Sequence, residues 1–182
     1  MSDSIDWVVD MEVGPEGSAA QARKVLDFLL AEKIILPTTR ESMGRRGMPL
    51  FNPGPAADSW SIQVCHDIHL CGLEVRQERT VFHAGDNGLD GFRCPSCGAE
   101  HSADDVPWSD AVGAWYEAKS NSRMTCPACS AEPSIIDWTF LECEWSFGNL
   151  GFGFNNWSIT ERLASAIGEV LEHRYRLVLE HI

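Results

Sequence analysis

Residues 92–101 read FRCPSCGAEH, and residues 124–133 read MTCPACSAEP. Each stretch carries a Cys-Pro-x-Cys unit, with 28 residues between the two units. A C-x2-C turn points two thiolates at one centre, and two such turns complete a tetrahedron of four sulfurs. Pro95 and Pro127 pre-set φ inside each turn and so lower the entropy lost on ordering it. The small residues that follow, Gly98 and Ser130, are expected to let the backbone pass close to the sulfurs. The pattern predicts one metal ion bound by Cys94, Cys97, Cys126 and Cys129, and four sulfur donors in this arrangement favour zinc. Such a site is closed. All four positions are filled, so no water can be bound and activated, and the role expected of the metal is structural. His101 could replace a thiolate, but the complete cysteine set leaves it no position.

Three other uses of such cysteines compete. A thioredoxin-like redox pair occurs once, at a helix start, whereas two copies stand here and Gly98 interrupts any helix after the first. Structural disulfides belong to oxidising compartments. An iron or iron–sulfur centre also takes four thiolates. On the residues FRCPSCG and MTCPACS the stretch 92–130 resembles the zinc-ribbon class of metal sites. The resemblance identifies a type of site and no protein family, and it implies that each cysteine turn sits at the tip of a hairpin. Between the two turns, DVPWSDAVGAWYEAK (105–119) carries Trp108, Val112, Trp115 and Tyr116 on one helical stripe, where a simple ribbon has no helix.

Outward from this module the chain returns to regular patterns. IDWVVDMEV (5–13) and RLVLEHI (176–182) read as strands, as does IIDWTFLECEWSF (135–147). Ala22, Val25, Leu26, Leu29 and Leu30 form one helical stripe, and Ile159, Leu163, Ala166, Ile167, Val170 and Leu171 form another. Ser18 with Gln21, and Ser158 with Glu161, have capping-box spacing at the two helix starts. SIQVCHDIHL (61–70) and LEVRQERTVFH (73–83) alternate and predict a hairpin. The fold expected is α+β, a mixed or antiparallel sheet with two helices on one face, with a ferredoxin-like plait as the favoured version. The core domain is expected to comprise 1–83 and 135–182, with 84–134 inserted as the zinc-binding module.

The 182 residues carry a net charge of −13. Binding to nucleic-acid backbones or anionic membranes needs clustered Lys and Arg, and the module between Ala84 and Ser134 has eight acidic residues against three basic ones. No nucleic-acid or membrane partner is therefore expected. The longest apolar stretch, FLLAEKIIL, is interrupted by charges and too short to span a bilayer. The N-terminus MSDSIDWVV is acidic and has no basic n-region, so no signal peptide and a cytoplasmic location are expected.

No known catalytic motif is present, and no catalytic residue is assigned. On a strand, Cys65, Asp67, His69 and Cys71 would share one face, where Cys65, His69 and Cys71 could form a second metal site or a Cys-His pair. Arg45 and Arg46, in the Pro/Gly-rich stretch 37–58, could hold an anion. FGNLGFGFNNW (147–157) offers aromatics that could stack bases, but no Lys or Arg lies within 141–161, and a glycine-bent core strand is the expectation. Three functions stay open. The first is a non-catalytic protein-interaction or scaffold protein with a structural zinc site. The second is an enzyme with a site between loop 37–58 and strand 61–71. The third is nucleic-acid binding through the zinc module.

Overall fold

A computed structural model describes residues 3–37, 49–86 and 88–182. In chain order its first half holds β1 (Ser4–Asp10), α1 (Ser18–Ala31), β2 (Ser61–Val64), β3 (Gly72–Arg76), β4 (Thr80–Phe82), β5 (Gly91–Arg93) and β6 (Glu100–Ser102). There follow α2 (Trp108–Tyr116), β7 (Thr139–Leu141), β8 (Ser146–Gly148), β9 (Leu150–Asn155), β10 (Trp157–Ile159), α3 (Glu161–Leu171) and β11 (Tyr175–His181). The fold is α+β, with open and mostly antiparallel sheets.

The largest sheet runs β11-β1-β9-β3, with every neighbouring pair antiparallel. Strand alternation divides its side chains between two faces. Val8, Leu73, Val75, Phe152 and Phe154 face α1 and α3, meeting Ala22, Val25 and Leu29 from the first helix and Leu163, Ala164, Ile167 and Leu171 from the second. Both helices therefore cover one face. Ile5, Trp7, Val9, Phe82 and Val178 pack on the other.

The stretch LGFGFN makes this two-sided packing possible. Its large residues point to the helices, and its glycines point to the aromatic face. A Cβ on Gly153 would lie 2.6 Å from the Trp7 ring, and one on Gly151 would run into Phe82. Glycine here makes space for neighbouring rings, and the stretch is the buried core strand β9. Trp7 uses that space fully: it is buried, its Nε1 donates to Glu180 Oε2 at 2.7 Å, and the Arg76 guanidinium stacks 4.6 Å from its ring centre.

A second cluster of buried side chains gathers Phe92, Val106, Ala111, Trp115, Met124, Ile135, Trp138, Phe140 and Phe147, together with Cys94 and Cys126. It lies against the three-stranded sheet β6-β5-β7 and helix α2.

Several local expectations are corrected. Residues 61–83 form no hairpin: β2 pairs with β10, β3 pairs with β9, and a turn-rich segment separates them. Each half holds a short strand that found a partner distant in sequence, and Ile62, read as facing inward, is exposed. Residues 135–147 are not one strand. They break into a short 3-10 turn, β7 on the module sheet and β8 paired with β4. Neither capping box forms. At α1, Ser18 Oγ donates to Pro15 O and Gln21 reaches Leu171 O, and the cap position falls on Gly17. At α3 the cap is Thr160, whose Oγ1 accepts from the Leu163 N–H. The anion site considered at Arg45 and Arg46 lies outside the described residues.

Asp6 sits on the helix-facing side of β1 and accepts the Ile159 N–H at 2.9 Å. Burial pushes its carboxyl up to about 6, against that hydrogen bond, which favours the charged form. An unfolded Asp titrates near pH ~4. The folded chain therefore holds the Asp6 proton more tightly, and this stabilising contribution is full below about pH 4 and lost as pH rises through about 6. Above that range the buried charge weighs on the fold. An Asp6→Asn substitution keeps an oxygen for the Ile159 N–H and removes the charge. It is expected to stabilise the protein at pH 8 by up to about 3 kcal/mol. Chemical denaturation should show the gain shrinking towards pH 4.

Candidate metal centre

The first cysteine turn lies at the tip of the β5–β6 hairpin, whose register pairs Phe92 with His101 and Arg93 with Glu100. The second is held by an antiparallel bridge between Arg123 and Ser134, and the Met124 N–H donates to Pro133 O. The two turns then close with the same bonds. Cys94 N–H donates to Ala99 O and Gly98 N–H to Cys94 O; Cys126 N–H donates to Ala131 O and Ser130 N–H to Cys126 O.

The residue after each second cysteine is left-handed, with φ of 75° at Gly98 and 60° at Ser130. This corrects the expected reason for small residues there. A Cβ on Gly98 would meet nothing within 4 Å, so space is not the constraint. The constraint is backbone conformation, which Gly adopts freely and which costs Ser130 about 1 kcal/mol.

These arms bring the four cysteine sulfurs within 4.8 Å of one another. Cys94 Sγ lies 3.9 Å from Cys129 Sγ, and Cys97 Sγ lies 3.8 Å from Cys126 Sγ. Four sulfurs about 2.3 Å from a tetrahedral centre stand about 3.8 Å apart, so the residues present fit a single metal ion. The turns are asymmetric in depth. Cys94 and Cys126, the first cysteine of each, are buried in the aromatic cluster, while Cys97 and Cys129 face solvent.

Burial opposes the Cys94 thiolate, but N–H groups of Cys97 and Ser96 outweigh it and bring the thiol down to about 7. At Cys129 the Ala131 N–H favours the thiolate, yet the Cys97 thiol, burial, and the thiols of Cys126 and Cys94 prevail and push it up to about 12. Backbone donors thus stabilise the first negative charge, and the sulfurs resist the last one unless a cation joins them.

His101 is not one of the converging ligands. It lies just outside them, with Nε2 3.3 Å from Cys126 Sγ and its ring 6.2 Å from that of Trp138.

The second site considered at Cys65, His69 and Cys71 does not assemble. Among the described residues, the four cysteines are the one group of three or more His, Cys, Asp or Glu whose ligand atoms converge. Cys71 is buried and donates to Asn156 O at 3.6 Å, and desolvation pushes its thiol up to about 11, unsuited to a nucleophile. His66 instead pairs with Asp58 at 3.1 Å. His66, Asp67, His69 and Cys71 do line an open hollow of about 440 Å³ with Asn52 and Pro53. The aromatics Phe147, Phe152, Phe154 and Trp157 are all buried, so none offers a stacking platform.

One polar pair had no signal in the sequence. Fully buried Asp10 accepts the N–H groups of Glu12 and Val13 on Oδ1 and meets His173 Nδ1 at 2.9 Å on Oδ2. The partners are 163 positions apart, and neither belongs to a motif.

Comparison with known proteins finds no matching family model, no matching curated protein and no matching solved structure.

Protein prepared without added metal is expected to contain about one metal equivalent per chain by elemental analysis. Cys126→Ala, which removes a buried ligand, should lose it. A metal-free wild type would overturn the assignment.

Proposed function

We propose that the chain is a non-catalytic, zinc-containing protein-interaction or scaffold protein. The observation that carries this reading is the closed centre. Four sulfurs at tetrahedral spacing leave no position for substrate or activated water. Zinc is favoured over iron because a structural centre needs no redox chemistry, and zinc has none. Reduced thiolates of this kind fit a cytoplasmic location. The placement of both cysteine turns on antiparallel arms supports the zinc-ribbon reading of the module. The core supports a ferredoxin-like plait. Counting only the main-sheet strands, the chain runs strand-helix-strand-strand-helix-strand, and the order β11-β1-β9-β3 is then fourth-first-third-second.

The segment 84–134 is read as an insert in a core formed by 1–83 and 135–182, with residues of the 135–147 stretch completing its packing. Separate buried clusters around the helices and around the cysteines support this division. A module of about 50 residues is too small to hold together well without a staple. Chelation should therefore open 84–134 to protease first and leave the main sheet protected. Loss of the whole chain in one cooperative step would contradict the insert.

The partner in this reading is a basic protein surface, because the net charge is −13. Nucleic acid is disfavoured by the same charge and by the burial of the aromatic run. The enzyme alternative has one observation in its favour, the hollow lined by His66 and His69, next to the described end of loop 37–58. Against it stand a protonated Cys71 and a His66–Asp58 pair that is mostly exposed.

Affinity capture from nuclease-treated extract of the native cell, read by mass spectrometry, tests the proposal. A stoichiometric basic protein released by raised salt is expected. Recovery of nucleic acid from untreated extract and no protein after nuclease treatment would favour the third reading and sink the first.

A further inference from the structure

We propose that His101 belongs to the metal centre as a hydrogen-bond donor to the Cys126 thiolate. The inference rests on reading the four cysteines as a metal site and concerns a residue outside the ligand set. Each buried thiolate lies beyond the reach of solvent and needs an internal donor. At Cys94 that donor is the Ser96 backbone N–H, 3.4 Å from Sγ. At Cys126 it is instead the His101 side chain, Nε2 to Sγ 3.3 Å. A metal-bound thiolate has no proton to give, so the bond has one possible direction, from Nε2–H to sulfur.

The fold sets this contact in three ways. His101 stands in β6 opposite Phe92, two residues before Cys94, so the hairpin that carries the first turn also carries the donor for the second. Its ring packs edge-on against Trp138, which is buried. The Arg93–Glu100 ion pair, 2.7 Å across the same hairpin, holds the strands in register beside it. The imidazole thus ties the two turns together independently of the metal.

Four thiolates around a divalent cation leave two net negative charges. An N–H donor to one sulfur withdraws charge from it, and outer donors of this type typically change metal retention by about 10- to 100-fold. The centre then has two unlike halves. Cys126 is buried and hydrogen-bonded, Cys94 is buried and bonded to backbone, and Cys97 and Cys129 lie open to solvent. Attack by an electrophile or a competing chelator starts at the open pair, while His101 keeps Cys126 on the metal.

Cadmium-113 and cobalt forms of the full chain provide the test. In the wild-type cadmium-113 protein, the proton on His101 Nε2 is expected to show scalar coupling to the metal across the hydrogen bond. In the cobalt protein, His101→Phe should shift the sulfur-to-metal charge-transfer bands and speed metal transfer to a chelator about tenfold. His101→Gln, which can place an amide N–H near the same point, should restore much of both. A proton found on Nδ1 with Nε2 bare, direct metal–nitrogen coupling at Nε2, or a folded His101→Phe protein with wild-type bands and transfer rate would each overturn the proposal. A wild type that binds one cadmium ion and fails these readouts condemns the His101 role alone. A wild type that binds none condemns the metal centre with it.

Discussion

Four sulfurs packed at about 3.8 Å pose a problem of charge. Two thiolates at that distance repel by roughly 4 kcal/mol even with an effective dielectric near 20. Backbone donors bring the Cys94 thiol down, while burial and the neighbouring thiols push the Cys129 thiol up. The surrounding structure is arranged around that problem. Each turn spends its backbone hydrogen bonds on holding its own cysteines, and the two buried sulfurs form part of the cluster of Phe92, Trp138 and Phe140. Phe140 lies on β7 and meets Phe147 on β8, which pairs with β4. The aromatic cluster thus reaches the two-stranded sheet β4-β8, whose strands follow β3 and precede β9 in the chain.

The main sheet answers to a different constraint. Its central strand β9 has large rings on one side and glycines on the other, because the helices must be filled against and Trp7 and Phe82 must be admitted. Neither face could be exchanged with the other. A one-residue slip of β9 would drive Phe152 into the Trp7 side and leave glycines against α1 and α3. Register is therefore fixed by volume, and Trp7 adds a directional tie through Glu180. Apolar packing holds this half together, while charge neutralisation is the condition on the cysteine half.

What was legible in the sequence follows this difference. The cysteine cluster could be read because its spacing is local and four-fold: Cys94 with Cys97, and Cys126 with Cys129, each meet within one turn. Helical stripes were legible for the same reason, since Val25 with Leu29 and Leu163 with Ile167 are neighbours on one surface. Strand existence was legible but strand pairing was not. Alternation in 61–64 and 72–76 is the same whether the two segments join each other or, as found, pair with β10 and β9. Helix caps misled because the helix starts lie off the motifs: Gly17, one residue before Ser18, caps α1, and Ser158 belongs to β10, so Thr160 caps α3. The Asp10–His173 and His101–Cys126 contacts were invisible because they depend on how separate elements pack.

The asymmetry of the centre follows from the same geometry. The first cysteine of each turn follows an antiparallel arm, β5 in one case and the bridge at Arg123 in the other, and its side chain enters the aromatic cluster. The second lies past the proline, where the chain is already turning back through a left-handed residue, so its sulfur is on the outer side. The first cysteine is thus buried in both turns, which leaves two sulfurs that water cannot reach. One can be served by its own turn, through Ser96. The other is reached by His101 because β6 returns from the first turn across β5. The helix α2 between the two turns does not disturb this arrangement. It packs Ala111 and Trp115 into the same aromatic cluster, so the long spacer between the cysteine pairs supplies apolar support to both turns.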